Sequence, residues 1–232
     1  LGQGDGSFVP RADFPAGAYP VAVAVGDLNG DNTPDLAVAN SSDRTVSVLN
    51  RNNLQCALAE AAFMTGLERN AEVVRMASYA PLFAHAEGWQ WTPDLIWVDN
   101  LRSYGTPNYY VQKLFANHRG DVVLPATFSG ANVPARLYAS ATRDEAAGEV
   151  ILKLVNGSAE VQSVAVQLAG VKAVKPGAKV WVLTGEKLPD ENSFDLPTKV
   201  SPREVPLTIT SPAFTQAVPA NAFVVLRVPV GE

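Results

Sequence analysis

The hydrophobic pattern of this chain changes period twice, which rules out any architecture built from one kind of element. Residues 1–50 carry short β-rich runs, Val21–Val25, Leu36–Ala39 and Thr45–Leu49, with Gly, Asn and Asp clustered between them. Such punctuation belongs to tight turns between strands. Near Asn50–Asn53 the period switches to 3.6 residues, and from Asp121 onward it returns to two. The predicted class is mainly β with some α, in three stretches: 1–50, 51–120 and 121–232.

The middle stretch reads as helix, buried strand, helix. Leu54, Ala57, Leu58 and Ala61 follow a helical period behind Asn53 as N-cap. Gly66 should interrupt that helix, and Asn70 should cap a second one carrying Val73, Val74 and Ala77 that stops before Pro81. Asp94–Asp99 has a continuous apolar middle, as a strand covered on both faces would. Thr106 followed by Pro107 starts another helix, with Tyr110, Val111, Leu114 and Phe115 on one face and Gly120 placed to end it. After Asp121 the segments Arg136–Thr142, Glu149–Asn156, Val161–Leu168, Lys179–Thr184, Pro206–Thr210 and Ala222–Val228 read as strands of an antiparallel sandwich. In one of them Val150, Leu152 and Leu154 should face one side, and Ile151, Lys153 and Val155 the other. Asn156-Gly157 predicts a hairpin turn.

Composition narrows the function classes. A net charge of -5 with no Lys/Arg stripe argues against nucleic acid as a partner. The start, Leu1-Gly-Gln-Gly-Asp-Gly-Ser, is turn-like and predicts no signal peptide, and no apolar run reaches the roughly 18 residues of a membrane span. Cys56 is the one cysteine of the 232 residues, so no intrachain disulfide forms; its apolar neighbours predict a small buried side chain.

Asp27-Leu-Asn-Gly-Asp-Asn-Thr-Pro-Asp35 places oxygen side chains at loop positions one, three, five and nine through Asp27, Asn29, Asp31 and Asp35. Ca2+ takes six to eight oxygens at about 2.3–2.6 Å, and a tight turn at Gly30 lets alternate side chains converge, with Thr33 supplying its carbonyl. An EF-hand is excluded because Asn32 stands where glycine belongs and Val38 where a bidentate glutamate would be. Together with Leu1-Gly-Gln-Gly-Asp-Gly-Ser-Phe8, this segment resembles the FG-GAP or VCBS-like repeat. The resemblance implies a single propeller-blade-like β unit, a calcium loop and an extracellular parent protein.

Residues from about Asn53 to Val228 resemble the C-terminal portion of family 51 α-L-arabinofuranosidases. The segments that carry this are Ala59–Asn70, Val74–Phe83, Trp91–Ile96, Tyr104–Phe115 and Asp190–Pro202. The resemblance implies that 51–120 is the terminal βα portion of a (β/α)8 barrel, with Asp94–Asp99 as its eighth strand and Thr106–Asn117 as its eighth helix. The remainder becomes the family's C-terminal β-sandwich. It also implies activity on terminal arabinofuranosyl groups of arabinan and arabinoxylan. Retaining hydrolysis needs an acid and a nucleophilic carboxylate about 5–5.5 Å apart. In the family both are glutamates upstream of the matched region, so no catalytic residue is expected here.

Local carboxylates offer no substitute by spacing. Glu60, Glu68 and Glu72 would share one stripe of a continuous helix, most simply a solvated face. Asp94 and Asp99 would lie roughly 16 Å apart on opposite faces of a strand. Asn100, Tyr104 and Thr106, after the predicted strand, are the candidates for contacting sugar hydroxyls at a cleft rim, against loop packing and helix capping. His85 and His118 lack partners at metal-ligand spacing and suit surface or capping roles. Trp89 and Trp91 could stack on sugar, whereas Trp97 suits packing between strand and helix. One blade cannot bury both faces and one βα unit cannot close a barrel, so 1–120 is expected to need further barrel or propeller segments. Two other functions fit the sequence: a non-enzymatic, calcium-dependent binding or adhesion module, and a sandwich that binds carbohydrate.

Overall fold

The computed structural model describes residues 20–26, 35–40, 45–48, 52–89, 93–129 and 133–231. These form two compact units, residues 1–50 and 51–232. The described chain is mainly β with two helices and largely antiparallel sheets.

In the first unit β1 (Pro20–Gly26), β2 (Asp35–Asn40) and β3 (Thr45–Val48) make an antiparallel three-stranded sheet in sequence order. The register of β1 against β2 ends on the pair Gly26 and Asp35. Positions 27–34 lie outside the described residues.

The second unit begins with helix α1 (Leu54–Arg69). Asn53 caps it, its Oδ1 accepting from the Cys56 amide at 3.0 Å. Two further amides of the first turn, on Leu54 and Gln55, donate to the carbonyls of Asp190 and Leu188. The distant 186–190 loop thus satisfies donors that every helix start leaves open. Cys56 is half-buried in this turn. The helix continues through Gly66, where a Cβ would make only an ordinary contact with the Arg69 guanidinium at 3.9 Å; a mid-helix glycine costs only about 1 kcal/mol.

Asn70 caps the C-terminal end of α1, so the second helix expected behind it is absent. Residues 71–82 form a turn followed by irregular chain. Val73 and Met76 stay 76% and 87% exposed, and a short helix without a buried face does not repay its nucleation cost. Three short strands follow: β4 (Phe83–His85), β5 (Ile96–Val98) and β6 (Ser103–Gly105). β4 runs parallel to β5, and β6 antiparallel to it. The helix–strand–helix expectation thus missed two strands. Helix α2 (Pro107–Asn117) starts at the expected Thr106–Pro107 pair but ends at His118, ahead of Gly120.

The rest is a layered β structure. β7 (Val122–Leu124), β8 (Leu137–Asp144), β9 (Glu149–Asn156), β12 (Lys179–Leu183), β13 (Arg203–Pro206) and β15 (Ala222–Gly231) join one antiparallel sheet in the order β13-β12-β15-β9-β8-β7. The short β11 (Ala173–Val174) pairs with the far end of β15. A second, two-stranded sheet holds β10 (Gln162–Gln167) and β14 (Ala213–Val218).

Alternation along β9 divides the core as expected. Ile151 and Val155 pack with Phe223 and Val225 of β15 against Leu54, Ala57, Leu58 and Ala61 of α1 and Val111, Leu114 and Phe115 of α2. Val150, Leu152 and Leu154 share the opposite core with Val164, Val166, Phe214 and Val218 of the second sheet. Phe115 and Phe223 stack at 5.3 Å. Lys153, on the helix-facing side, is 0% exposed.

Two local expectations fail for a common reason. Asn156-Gly157 is not a hairpin turn: β9 and β10 belong to different sheets, and Asn156 makes the crossover. Its amide nitrogen donates to the carbonyls of Glu160, Val218 and Pro219, and its Oδ1 accepts from Ser158. The hairpin lies instead between Asp144 and Glu149, where Gly148 takes φ +64°. Pro206–Thr210 is likewise not a strand beyond Pro206, since β13 occupies Arg203–Pro206. Both depend on which sheet a segment joins. Among the described residues no helix is long and apolar enough to cross a membrane.

Candidate functional site

The β5–β6 hairpin, the starts of both helices and the 191–193 loop border a half-open cavity of about 240 Å3 lined by Asn52, Pro93, Asp94, Trp97, Tyr104, Thr106, Glu191, Asn192 and Ser193. Most of its polar lining is committed to scaffold. Asn52 donates to the Asp94 carbonyl at 2.7 Å and accepts from the Tyr79 hydroxyl at 3.2 Å. Burial pushes the Tyr79 phenol up to about 12. Thr106 Oγ1 caps α2 by accepting from the Tyr109 amide, and donates to the Leu95 carbonyl at 2.9 Å. Asn192 donates to the carbonyls of Gly105 and Val200 and accepts from the Val200 amide. A Cβ at Gly105 would run into the Tyr109 ring, which would then have to shift.

Asp94 is the exception. It is 1% exposed, and its Oδ2 has no hydrogen-bond partner. Burial raises its carboxyl pKa above the usual range. Asp99, at the other end of β5, is its electrostatic opposite. The amides of Leu101 and Arg102 and the Arg102 guanidinium all reach its carboxylate and lower its pKa. Burying one carboxyl and setting another among donors separates their protonation behaviour.

Of the rim candidates, Tyr104 and Thr106 line the cavity. Asn100 does not; it is exposed, and its Oδ1 lies 3.2 Å from His85 Nε2. Tyr104 pairs in register with Trp97 and meets Phe194 edge-on at 4.9 Å. Trp97 contributes to the cavity wall and meets the half-exposed Trp89 at 6.0 Å; Trp91 lies outside the described residues. His118 takes the capping role of the two expected for it, as C-cap of α2, and is buried against Trp181 at 4.1 Å. Of the calcium-loop candidates, Asp27, Asn29, Asp31 and Thr33 lie outside the described residues, and for Asp35 the description extends to its place at the start of β2. Among the described residues no cluster of His, Cys, Asp and Glu is arranged to hold a metal.

The glutamate stripe is not a solvated face. Glu60 accepts from Asn108 and Gln112 of α2, and burial raises its pKa. Glu68 takes the Lys153 ammonium at 2.6 Å and the Ser140 hydroxyl at 2.5 Å; Glu72 lies beyond the helix and is exposed. Sequence spacing also missed that Glu191 lines the same cavity as Asp94, since 97 positions separate the two. The Glu186–Asp190 turn, closed by amide bonds to Asp190 Oδ2 and an ion pair to Lys199, brings that loop to the helix starts.

Two family models match the chain: an FG-GAP-like repeat over residues 1–38 and the α-L-arabinofuranosidase C-terminal domain over residues 36–222. α-L-Arabinofuranosidase 1 of Arabidopsis thaliana is 37% identical over 175 residues, covering 74% of this chain and 26% of that protein. An extracellular exo-α-L-arabinofuranosidase of Streptomyces chartreusis is 61% identical over 69 residues, 30% of this chain and 8% of that protein. The structure of an arabinose-bound family 51 α-L-arabinofuranosidase superposes with a TM-score of 0.72 and 32% identity, covering 90% of this chain and 31% of that one. The chain thus spans about a quarter of the length of the Arabidopsis relative. It belongs to the family of the α-L-arabinofuranosidase C-terminal domain in glycoside hydrolase family 51, and carries an FG-GAP-like repeat at its N-terminal end.

Proposed function

We propose that this chain is the C-terminal part of a retaining α-L-arabinofuranosidase, and that alone it does not cleave the glycosidic bond. The observation that carries the reading is the family match over residues 36–222, within a chain that spans about a quarter of the Arabidopsis relative. Residues 51–120 are then the terminal βα part of a (β/α)8 barrel, and 121–232 the sandwich beside it. The whole protein acts on terminal arabinofuranosyl groups of arabinan or arabinoxylan outside the cell, with the acid and the nucleophile on other segments of the barrel. The carboxylates here are largely occupied with structure: Glu60 with amides, Glu68 with Lys153, Asp99 with Arg102, and Asp144 and Glu149 with Arg227.

Asp94 and Glu191 are the pair to test, because they line one cavity. Asp94 Oδ2 has no accessible surface, so that oxygen cannot reach a glycosidic bond without rearrangement. Incubating the chain with an aryl α-L-arabinofuranoside should give no turnover. Hydrolysis abolished by Asp94→Asn or Glu191→Gln would overturn the reading and move the chemistry to that pair.

The second reading, a calcium-dependent binding module, rests on Asp27–Asp35 and on the hairpin closed by Gly26 and Asp35. Bound Ca2+ would cross-link that loop through Asp27, Asn29, Asp31, Asp35 and the Thr33 carbonyl. Calorimetric uptake of Ca2+ that survives Asp31→Ala would reject this assignment. A sugar site in the sandwich has less support. The larger cavity there, about 690 Å3, joins apolar walls such as Leu152, Leu154, Val164 and Val166 with Thr127, Ser129, Gln162, Ser163 and Gln167, and has no charged side chain in its lining.

A further inference from the structure

We propose that the joint where α1, α2 and the start of β5 meet is a proton-operated clamp, drawn tighter in acid as Glu60 and Asp94 take up protons.

Elsewhere in the second unit carboxylates sit beside cations. Glu68 has Lys153, Asp99 has Arg102, Asp190 has Lys199, and Asp144 and Glu149 share Arg227. Glu60 and Asp94 differ: among the described residues no positive charge bears on either. Glu60 lies half-buried between the helices and accepts only from the neutral amides of Asn108 and Gln112. Asp94 is sealed from solvent, and its Oδ2 meets no donor that could hold a negative charge there. A carboxylate withdrawn from water without a counter-charge gains by binding a proton.

The surrounding groups reinforce this. Tyr79, from the chain between α1 and β4, feels the charges of Glu60, Asp94 and Cys56, and each raises its phenol pKa. Negative charge therefore accumulates around one hydroxyl. Glu191 adds another acid to the cavity that Asp94 lines. On α2, Lys113 lies over the Tyr109 ring. Beneath the helices Lys153 and Arg227 are held by their own carboxylates, and Arg69 reaches the Ala139 carbonyl. His118 carries no charge until pH falls to about 4. The protonated state also has an acceptor waiting. Asn108 Oδ1 is buried without a partner beside Glu60, and turning that amide over offers it to a Glu60 hydroxyl.

Burial raises both carboxyls above their ordinary range, so the folded chain binds these protons more tightly than the unfolded one. Their contribution to stability is complete below the unfolded values and is lost as pH rises through the folded ones. His118 acts in the opposite sense, equally in parent and variant, and cancels from their difference.

Carboxyl-carbon NMR of the 232-residue chain reads the two side chains directly. Glu60 and Asp94 should each titrate above the same residue in the urea-unfolded chain; a midpoint at or below the unfolded one for either overturns the proposal. Glu60→Gln, neutral at every pH, tests the clamp itself. Its urea midpoint should gain on the parent's as pH rises from about 4 to about 7. A difference that stays flat or shrinks overturns the proposal, and Asp94→Asn, read the same way, serves if Glu60→Gln does not fold.

Discussion

Removing Glu68 should expose how the helical layer is held to the sheet. Lys153 sits on β9 with no accessible surface, its ammonium 2.6 Å from Glu68 Oε1, 2.6 Å from the His118 carbonyl and 5.0 Å from the centre of the Phe115 ring. In Glu68→Ala the ammonium keeps the carbonyl and the ring but loses its counter-charge, and Ser140 loses its acceptor. Stranding one member of a buried pair costs about 3–5 kcal/mol. Replacing both by apolar side chains, Glu68→Leu with Lys153→Met, should stay within about 2 kcal/mol of the parent, because no charge is left buried. Burial already lowers the Lys153 pKa against the pull of Glu68, and Glu68→Ala lowers it further. Between that folded value and the unfolded one near 10.5 the unfolded chain binds more protons, so stability rises with pH there. The deficit of Glu68→Ala should therefore narrow from pH 7 toward pH 10. Urea unfolding followed by tryptophan fluorescence measures both effects. A loss below about 1 kcal/mol, or a double variant as unstable as the single one, would refute the argument.

Burial and the nearby Arg227 and Lys153 charges hold His118 down at about 4, so the unfolded chain takes up a proton first as pH falls. Stability should drop between pH 6.5 and about 4, by no more than about 3 kcal/mol; His118→Phe should flatten that slope in unfolding free energies measured across the window. Thr106→Ala removes the α2 cap and the bond to Leu95, for a loss of about 1–2 kcal/mol that Thr106→Ser largely restores in the same urea assay. Asn156→Ala unpairs carbonyls at the crossover between sheets and should cost about 2–4 kcal/mol, read as a lowered urea midpoint.

Local chemistry was legible in the sequence wherever a few adjacent residues decide the outcome. Asn53 and Thr106–Pro107 start their helices as predicted, and the alternation along β9 sorts its residues onto the two cores. Features decided by distant partners were hidden. Glu60 and Glu68 look like a solvated stripe until α2 and β9 arrive opposite them. The stretch after Asn70 has helical spacing, but its apolar side chains find no surface to cover. The candidate cavity shows the same split. Thr106 was visible through its capping role, whereas the placing of Asp94 and Glu191 in the lining of one cavity required the fold of the 186–193 loop.

β9 and β15 give alternate side chains to the helices and to the second sheet. The two layers consequently have a common wall and not a hinge. A module on a tether could swing independently or be exchanged between proteins. This one cannot be detached without stripping Leu54, Val111 and Phe115 of their cover, so any movement of the sheet is transmitted directly to the helix starts that frame the Asp94 cavity.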